Sequence, residues 1–429
     1  MPEVLKCLQS LTLDDDAEIE LDSEVSNTGY TVSKVLSMVS NDSKFIKLSK
    51  NQKLVKITAR DISDGKGYCS RVFKTVVYFD KGDKFNFMMK IPTDDAWNEM
   101  DMGKPFSEEE KKKNKRTLVE LHNSEVDTYE LLAGMIEPFP IPKIYHMQRA
   151  NDESAGIIVM EDLSDHGQSL GAFYSATPQQ CYNIARHMAD LQYYFDFLPD
   201  KAKWLAKFPE CIHCKADITE LWVRSMHPIL KYEDKDLVNV VQMYIDMDIH
   251  KLGQFALIDY SEQFECNTIL HGDLWMNNML VKSNENSSMS DEILAFIDWQ
   301  TCFIGSPCFD IVRFISNCTE ADTRRQCERK ALDVYYDRLT ENYAKRGQKP
   351  KFTREQAYEF YDLGLVQQVG LLIFMFGLLA MPLKDSEDEV DKAKVRQIAS
   401  RLKMAANDAM PVIEKYQFRT RFAANQSVE

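Results

Sequence analysis

The sequence is short of the residues that punctuate a chain. Its 429 residues include only 16 glycines and 14 prolines, with no Gly/Ser-rich or Pro-rich tract to mark a linker and no internal repeat to signal a solenoid. It also lacks an excess of positive charge: 52 Lys and Arg stand against 67 Asp and Glu, a formal net charge of -15. That balance argues against broad binding to nucleic acid or an anionic membrane, which needs a basic face. A small anionic substrate would therefore need a local basic group or a metal. The longest apolar stretch, Gly370 to Leu383, is shorter than the roughly 20 residues a membrane span needs and follows Gln367 and Gln368, so a buried helix is expected there. No apolar segment follows a basic one in MPEVLKCLQSLTLDDDAEIE. No secretory leader is expected, and the ten cysteines are expected as reduced thiols in the cytoplasm.

What is present is an ordinary globular composition, 44% hydrophobic and 28% charged, in a chain long enough for two or three domains or one two-lobed unit. The apolar periodicity changes partway. From Lys53 to about Asp162 it falls into short runs rich in Val, Ile, Phe and Tyr, of which KLVKITAR, RVFKTVVYF, KFNFMMKI and AGIIVMEDL are the clearest strands. One helix, from Thr117 to about Ile136, interrupts them. The charged run Glu108 to Arg116 just before it reads as a solvated helix start rather than a nuclear-import patch. After Asp162 the pattern is helical. Thr177, Pro178 and Gln180 form a capping box with proline at the first position. Cys181, Ile184, Met188, Leu191, Phe195 and Leu198 then recur every three or four residues as one buried face. Further helices are expected near 310–318, 329–345, 355–380 and 387–416. The expected architecture is α+β: residues 1–160 as an N-terminal extension and a small antiparallel-sheet lobe with one key helix, and 161–429 as a large helical lobe.

The segment with the most chemistry is HGDLWMNNML, His271 to Leu280, followed by AFIDWQ, Ala295 to Gln300. Two apolar runs, Met279 to Val281 and Ile293 to Ile297, flank a polar stretch and read as a β-hairpin with a long loop. A hairpin returns the end of its second strand to the start of its first, which puts Asp298 beside Asp273 and Asn278. Two carboxylates and an amide oxygen suit Mg²⁺, a hard cation that takes oxygen ligands and leaves room for phosphates. Phosphoryl transfer needs one acidic group aimed at the attacking hydroxyl and others on the metal. Asp273 fits the first role, with Asn278 and Asp298 the second.

Upstream, KFNFMMKIP alternates Phe85, Phe87, Met89 and Ile91 with Asn86, Met88 and Lys90. On the next helix, Leu118, Leu121, Glu125, Tyr129 and Leu132 make a stripe in which Glu125 needs a partner. Lys90 is the natural one, and the pair would hold the ammonium against nucleotide phosphates. The turn DISDGKGYCSRV supplies Gly65 and Gly67, with Ser70 just after them, where backbone could approach phosphates, although the third glycine of the protein-kinase loop is absent.

The order Gly turn, strand Lys, helix Glu, loop Asp with Asn five residues on, then hairpin Asp resembles the CHK kinase-like (ecdysteroid kinase-like) family, especially its nematode members. That family is similar in turn to choline kinases and aminoglycoside phosphotransferases. HGDLWMNN, IDWQ with GSPCFDI, VMEDL and the helix carrying Glu125 and Tyr129 bear the resemblance, from about residue 25 to 415. It implies a bilobal protein-kinase-like fold and a kinase using ATP and Mg²⁺, with Asp273 as base, Asn278 and Asp298 as metal ligands, and Lys90 braced by Glu125. The backbone of Glu161 to Leu163 would meet adenine, and Asp310 would clamp the loop. Gly272 stands where regulated protein kinases carry Arg, Trp299 follows Asp298 in place of Phe-Gly, and no APE segment appears. A small-molecule acceptor is expected rather than a protein. Between an apolar alcohol of steroid, glycoside or xenobiotic type and a choline or ethanolamine, the Met- and Trp-containing stretch 197–260 favours the first through Trp204, Phe208, Trp222, Met226, Met243 and Met247. A non-catalytic binding module is the other alternative.

Two motifs have bland readings beside the sharp ones. CIHC, Cys211 to Cys214, lacks the second ligand pair a structural zinc needs. Trp275 could line a cation site, but an aromatic residue after an active-site Asp more often packs the loop.

Overall fold

The computed structural model describes residues 20–63, 69–95, 107–135, 139–151, 154–208, 211–284 and 289–424. It divides into two compact units. One comprises residues up to Tyr129 together with Pro142–Asp165, and the other Glu130–Ile141 together with His166 onward.

The first unit is built on a five-stranded sheet in the order β1-β2-β3-β5-β4, formed by β1 (Leu54–Asp61), β2 (Ser70–Phe79), β3 (Lys84–Pro92), β4 (Ile144–Gln148) and β5 (Ile157–Glu161). Every pairing is antiparallel. The alternation read in β3 sends Phe85, Phe87 and Met89 into a core with Phe73, Val77 and Phe79 of β2 and Ile157 and Val159 of β5. Helices α1 (Val32–Val39) and α2 (Ser43–Asn51) close that core with Val35, Leu36, Val39 and Phe45. In α2 the N-cap is Asp42, whose carboxylate accepts from the amides of Lys44 (2.8 Å) and Phe45 (3.0 Å).

Helix α3 runs Glu108–Leu132, so it begins earlier than the expected Thr117. The reason is a capping box: Glu110 accepts from the Ser107 amide (2.6 Å) while Ser107 Oγ accepts from the Glu110 amide (3.3 Å). Three glutamates in its first turn, Glu108, Glu109 and Glu110, also suit the positive end of the helix dipole.

The second unit is mainly helical: α4 (Pro178–Asp196), α5 (Ala216–Met226), α6 (Lys235–Ile245), α7 (Phe309–Cys318), α8 (Ala321–Ala344), α9 (Arg354–Leu379) and α10 (Glu389–Lys415) are its longer helices. Helix α8 packs along α4, α10 along α9, and α7 against α9. The expected box at α4 is present, with Thr177 Oγ1 accepting from the Gln180 amide (3.1 Å) and Gln180 Oε1 from the Thr177 amide (3.0 Å). Cys181, Ile184, Met188, Leu191 and Phe195 are buried. Among the described residues one helix, Arg354–Leu383, is long and apolar enough to cross a membrane, and 72% of its apolar window is buried inside the structure.

Three small strand pairs complete the unit. β7 (Thr268–Leu270) pairs with β10 (Phe303–Gly305), and β6 (Gly167–Gln168) and β9 (Met289–Phe296) flank β8 (Met279–Ser283). The fold class is thus α+β, an antiparallel-sheet unit followed by a helical one.

Candidate active site

In the first unit, Lys90 and Glu125 meet. Lys90 lies in β3 between Val72 of β2 and Ile158 of β5, and its Nζ donates to Glu125 Oε2 at 2.6 Å. Both are buried, Glu125 at 1% exposure. One turn before Glu125 on α3, His122 Nε2 donates to the Gln148 carbonyl (2.9 Å). Burial, with the charges of Lys90 and Arg149, pushes its imidazole down to about 4 against the pull of that carbonyl.

The remaining first-unit candidates lie apart from this pair in the sequence. Ser70 is the buried first residue of β2. Gly65 and Gly67 lie outside the described residues. Glu161 ends β5, its amide donating to the Lys143 carbonyl (2.8 Å). Between Glu161 and Leu163, Asp162 is fixed by the Ser164 amide (2.9 Å) and by Lys74 (3.0 Å). Burial works to raise the Asp162 carboxyl, but Ser164 and Lys74 bring it below the ordinary range.

In the second unit the HGD loop leaves β7 and is held from several sides. The Asp310 carboxylate accepts from both the His271 amide (2.7 Å) and the Gly272 amide (3.0 Å), which is the clamp the resemblance implies. Complete burial still raises the Asp310 carboxyl despite His271, those amides and Arg313. Gly272 sits at φ +84, and a Cβ there would lie 2.1 Å from the Thr301 carbonyl oxygen. Only glycine fits at this turn. The Gly272 carbonyl accepts from His213 Nε2 (2.6 Å). His271 Nε2 donates to the Ile297 carbonyl (2.9 Å), and its Nδ1 faces the Asp273 amide (3.3 Å). This one ring therefore ties the loop to the far end of the hairpin. Its face lies 4.5 Å from the fully buried Trp299 ring, centroid to centroid.

The expected hairpin brings the three oxygen-bearing residues together. The Ile297 amide donates to the Asn278 carbonyl (3.0 Å), extending the β8–β9 ladder and putting Asp298 next to Asn278. Asp298 adopts a left-handed conformation, φ +66. A non-glycine residue there costs about 1–3 kcal/mol and persists only where its surroundings fix it, and such residues gather at functional sites. Asn278 Nδ2 donates to the Asp273 carbonyl (2.9 Å) and to its Oδ2 (3.0 Å). With both amide hydrogens spent in the loop, oxygen is the end that Asn278 can offer a cation. Among the described residues no group of three or more His, Cys, Asp or Glu could hold a metal by itself. Asp298 and Asn278 together still match Mg²⁺, which takes one or two protein oxygen ligands and completes its shell with water and phosphate oxygens.

Two functional groups escaped the sequence reading. Arg313, one turn after Asp310 on α7, pairs through Nη2 with Asp273 Oδ1. It is itself held by Gln368 Oε1 (3.3 Å), which also faces Asn317 Nδ2 (3.3 Å). Burial works to raise the Asp273 carboxyl. The Arg313 guanidinium, with smaller help from His213 and His271, outweighs it and holds the group below the ordinary carboxylate range. The second is His213, central in CIHC. It is buried among Trp222, Phe303 and Phe309, and burial and Arg313 push it down to about 4. The ring is thus neutral and carries its proton on the nitrogen facing Gly272. A charged residue in the otherwise apolar FDIVRFISNC, three residues from Asp310, was the available signal for Arg313.

The stretch offered as an apolar acceptor surface is largely core. Phe208, Trp222, Met226 and Met247 are buried, leaving Trp204 and Met243 half-exposed. They fill the contacts between short helices. Trp275 is half-buried, with its indole N–H buried and unpartnered.

Several solved structures are similar overall. A putative aminoglycoside phosphotransferase from Ralstonia eutropha is 14% identical, over 83% of this chain and 93% of that one, with a TM-score of 0.44. A GDP complex of an aminoglycoside 2'-phosphotransferase is 11% identical over 89% and 97%, TM-score 0.45. An ethanolamine kinase from Plasmodium vivax is 12% identical over 90% and 89%, TM-score 0.42. In sequence, a Caenorhabditis elegans protein named "Uncharacterized oxidoreductase dhs-27" is 26% identical over 357 residues, 80% of this chain. The match spans only 42% of that relative's length. Residues 39–415 match the model of one family, and the chain belongs to it: DUF1679, described as "Uncharacterized oxidoreductase dhs-27".

Proposed function

We propose that the chain is a phosphotransferase that moves the γ-phosphoryl group of ATP to a hydroxyl of a small molecule. The observation that carries this reading is the Asp273 carboxylate: partly exposed, kept anionic by Arg313, and set on a loop beside Asn278 and Asp298. The buried Lys90–Glu125 pair supports it, since a lysine fixed this way can meet nucleotide phosphates as a point charge. Asn278 and Asp298 would hold Mg²⁺, which when bound neutralises phosphate charge.

The chain's own groups then act in order. Asp273 accepts a hydrogen bond from the acceptor hydroxyl and aims its oxygen at the γ-phosphorus. As the new P–O bond forms and the bond to the β-phosphate oxygen breaks, the hydroxyl proton passes to Asp273. A weakly basic carboxylate suffices, because the transition state of such transfers is loose and the proton moves late.

The name borne by the relative points elsewhere, toward hydride chemistry. It describes a protein of which this chain matches 42%. Every strand pairing among the described residues is antiparallel, whereas doubly wound dinucleotide folds are built on parallel strands. The resemblance to CHK kinase-like proteins therefore remains the better guide to chemistry.

The acceptor proposed is a neutral hydroxylated molecule, apolar over most of its surface, rather than choline or ethanolamine. The aromatic and Met residues of 197–260 lie largely in the core, so charge decides the preference. Asp273 is already neutralised by Arg313, and Asp310 is committed to the loop's amides. An ammonium needs a spare carboxylate or an aromatic cage. The test follows ADP release from Mg-ATP across sterols, glycosides and hydroxylated aromatics against choline and ethanolamine, with Asp273→Asn as control. Turnover of the neutral panel should fall about 10²- to 10⁴-fold in the variant while nucleotide binding persists. Full activity in Asp273→Asn would refute the site, and turnover of choline alone would promote the alternative acceptor.

A further inference from the structure

Helix α7 is buried along its whole length, yet it carries two charged side chains, and both turn to the same loop. Asp310 takes the loop's backbone amides. Three residues on, and so on the same helix face, Arg313 takes the carboxylate. The two oxygens of Asp273 are thus assigned: Oδ1 to Arg313 and Oδ2 to Asn278. Behind the arginine, Nη1 is held by Gln368 of α9, and Nε is buried without a partner among the described residues. A guanidinium with one donor unmet is poorly explained as core packing, since an unsatisfied buried donor is costly. It is explained if the placement of Nη2 on Asp273 is what the site requires.

We propose that Arg313 is a positioning residue for phosphoryl transfer, fixing the rotamer of Asp273 so that a carboxylate oxygen meets the acceptor hydroxyl, with Gln368 fixing the arginine in turn. This rests on the phosphotransferase reading above. The preference is for arginine rather than lysine, because a planar fork can reach Asp273 with one nitrogen and Gln368 with another.

The experiment compares wild type, Arg313→Gln, Arg313→Lys and Gln368→Met, with turnover followed as ADP release and Mg-ATP affinity measured by calorimetry. In Arg313→Gln kcat should fall about 10- to 100-fold with KM for ATP and Mg-ATP affinity little changed. Arg313→Lys should recover part of the loss. Gln368→Met should lower kcat by less, again with KM for ATP little changed, which keeps the test alive should Arg313→Gln fail to fold. An unchanged kcat in a folded Arg313→Gln or Gln368→Met variant overturns the proposal, as does a loss that lysine leaves untouched or one carried by KM for ATP. Should wild type release no ADP with any acceptor, the phosphotransferase reading fails, and the role given to Arg313 fails with it. An active wild type with undiminished variants sinks the role of Arg313 alone.

Discussion

The buried pair Lys90–Glu125 makes the sharpest test, because its structural and functional roles predict different outcomes from the same variants. At 2.6 Å and an effective dielectric of about 20, the attraction is about 6 kcal/mol. Desolvating the two ions takes back most of it, so the net worth of the pair is small. Removing one partner is another matter: it strands the other charge in the core and costs about 3–5 kcal/mol. Lys90→Met and Glu125→Leu should each lose roughly that much stability in urea titrations. The double variant, with both charges gone and apolar replacements in place, should recover to near wild type, a coupling energy of about 6 kcal/mol or more. Nucleotide binding should behave differently. Calorimetric affinity for Mg-ATP should be weak in every protein lacking Lys90, the stable double variant included, because no ammonium remains to meet phosphates. Stability losses that simply add would show that the two residues do not interact. Recovery of binding along with stability would show that Lys90 only supports the fold.

Two further outcomes follow from the geometry. Asp298→Ala should abolish the Mg²⁺-dependent part of the thermal shift produced by ATP, since a ligand that no longer binds no longer stabilises; an undiminished shift would place the cation elsewhere. The neutral His122 makes stability fall with acid. Its folded pKa of about 4 lies below the ordinary imidazole value of 6.5, so between those values the unfolded chain binds the extra proton. The contribution is full above about pH 6.5 and is lost toward pH 4, by about 3 kcal/mol at most. His122→Gln should flatten that limb in unfolding measured at pH 7 and pH 4.5, and an identical acid loss in the variant would contradict the assignment.

The parts of the fold that could be read from sequence are those where one local rule decides. The box at Thr177 and Gln180 and the alternation of β3 are signals carried by a few adjacent residues. The start of α3 lies in the charged run Glu108 to Arg116, read as a solvated helix start, and the Ser107–Glu110 box fixes it ahead of the apolar stripe that begins near Thr117. β4 went unread for a different reason. All five of its residues are only partly buried, so it lacks the clean alternation of a strand with one wet face, and its place is fixed by β5.

The same division runs through the candidate site. Asp273, Asn278 and Asp298 were legible because a hairpin is a short-range device, and its geometry can be worked out before the fold is known. Arg313 and His213 reach the loop from elements separated from it by 40 and 59 residues, and no spacing rule joins them to it. Yet the logic that found Glu125 applies equally to Arg313: a charge within an apolar helix demands a buried partner. Applied evenly, it would have asked which carboxylate Arg313 neutralises. Asp310, the obvious choice on the same helix face, is already taken by two amides. Asp273 is the one left, a carboxylate whose charge is held by a helix far from it in sequence.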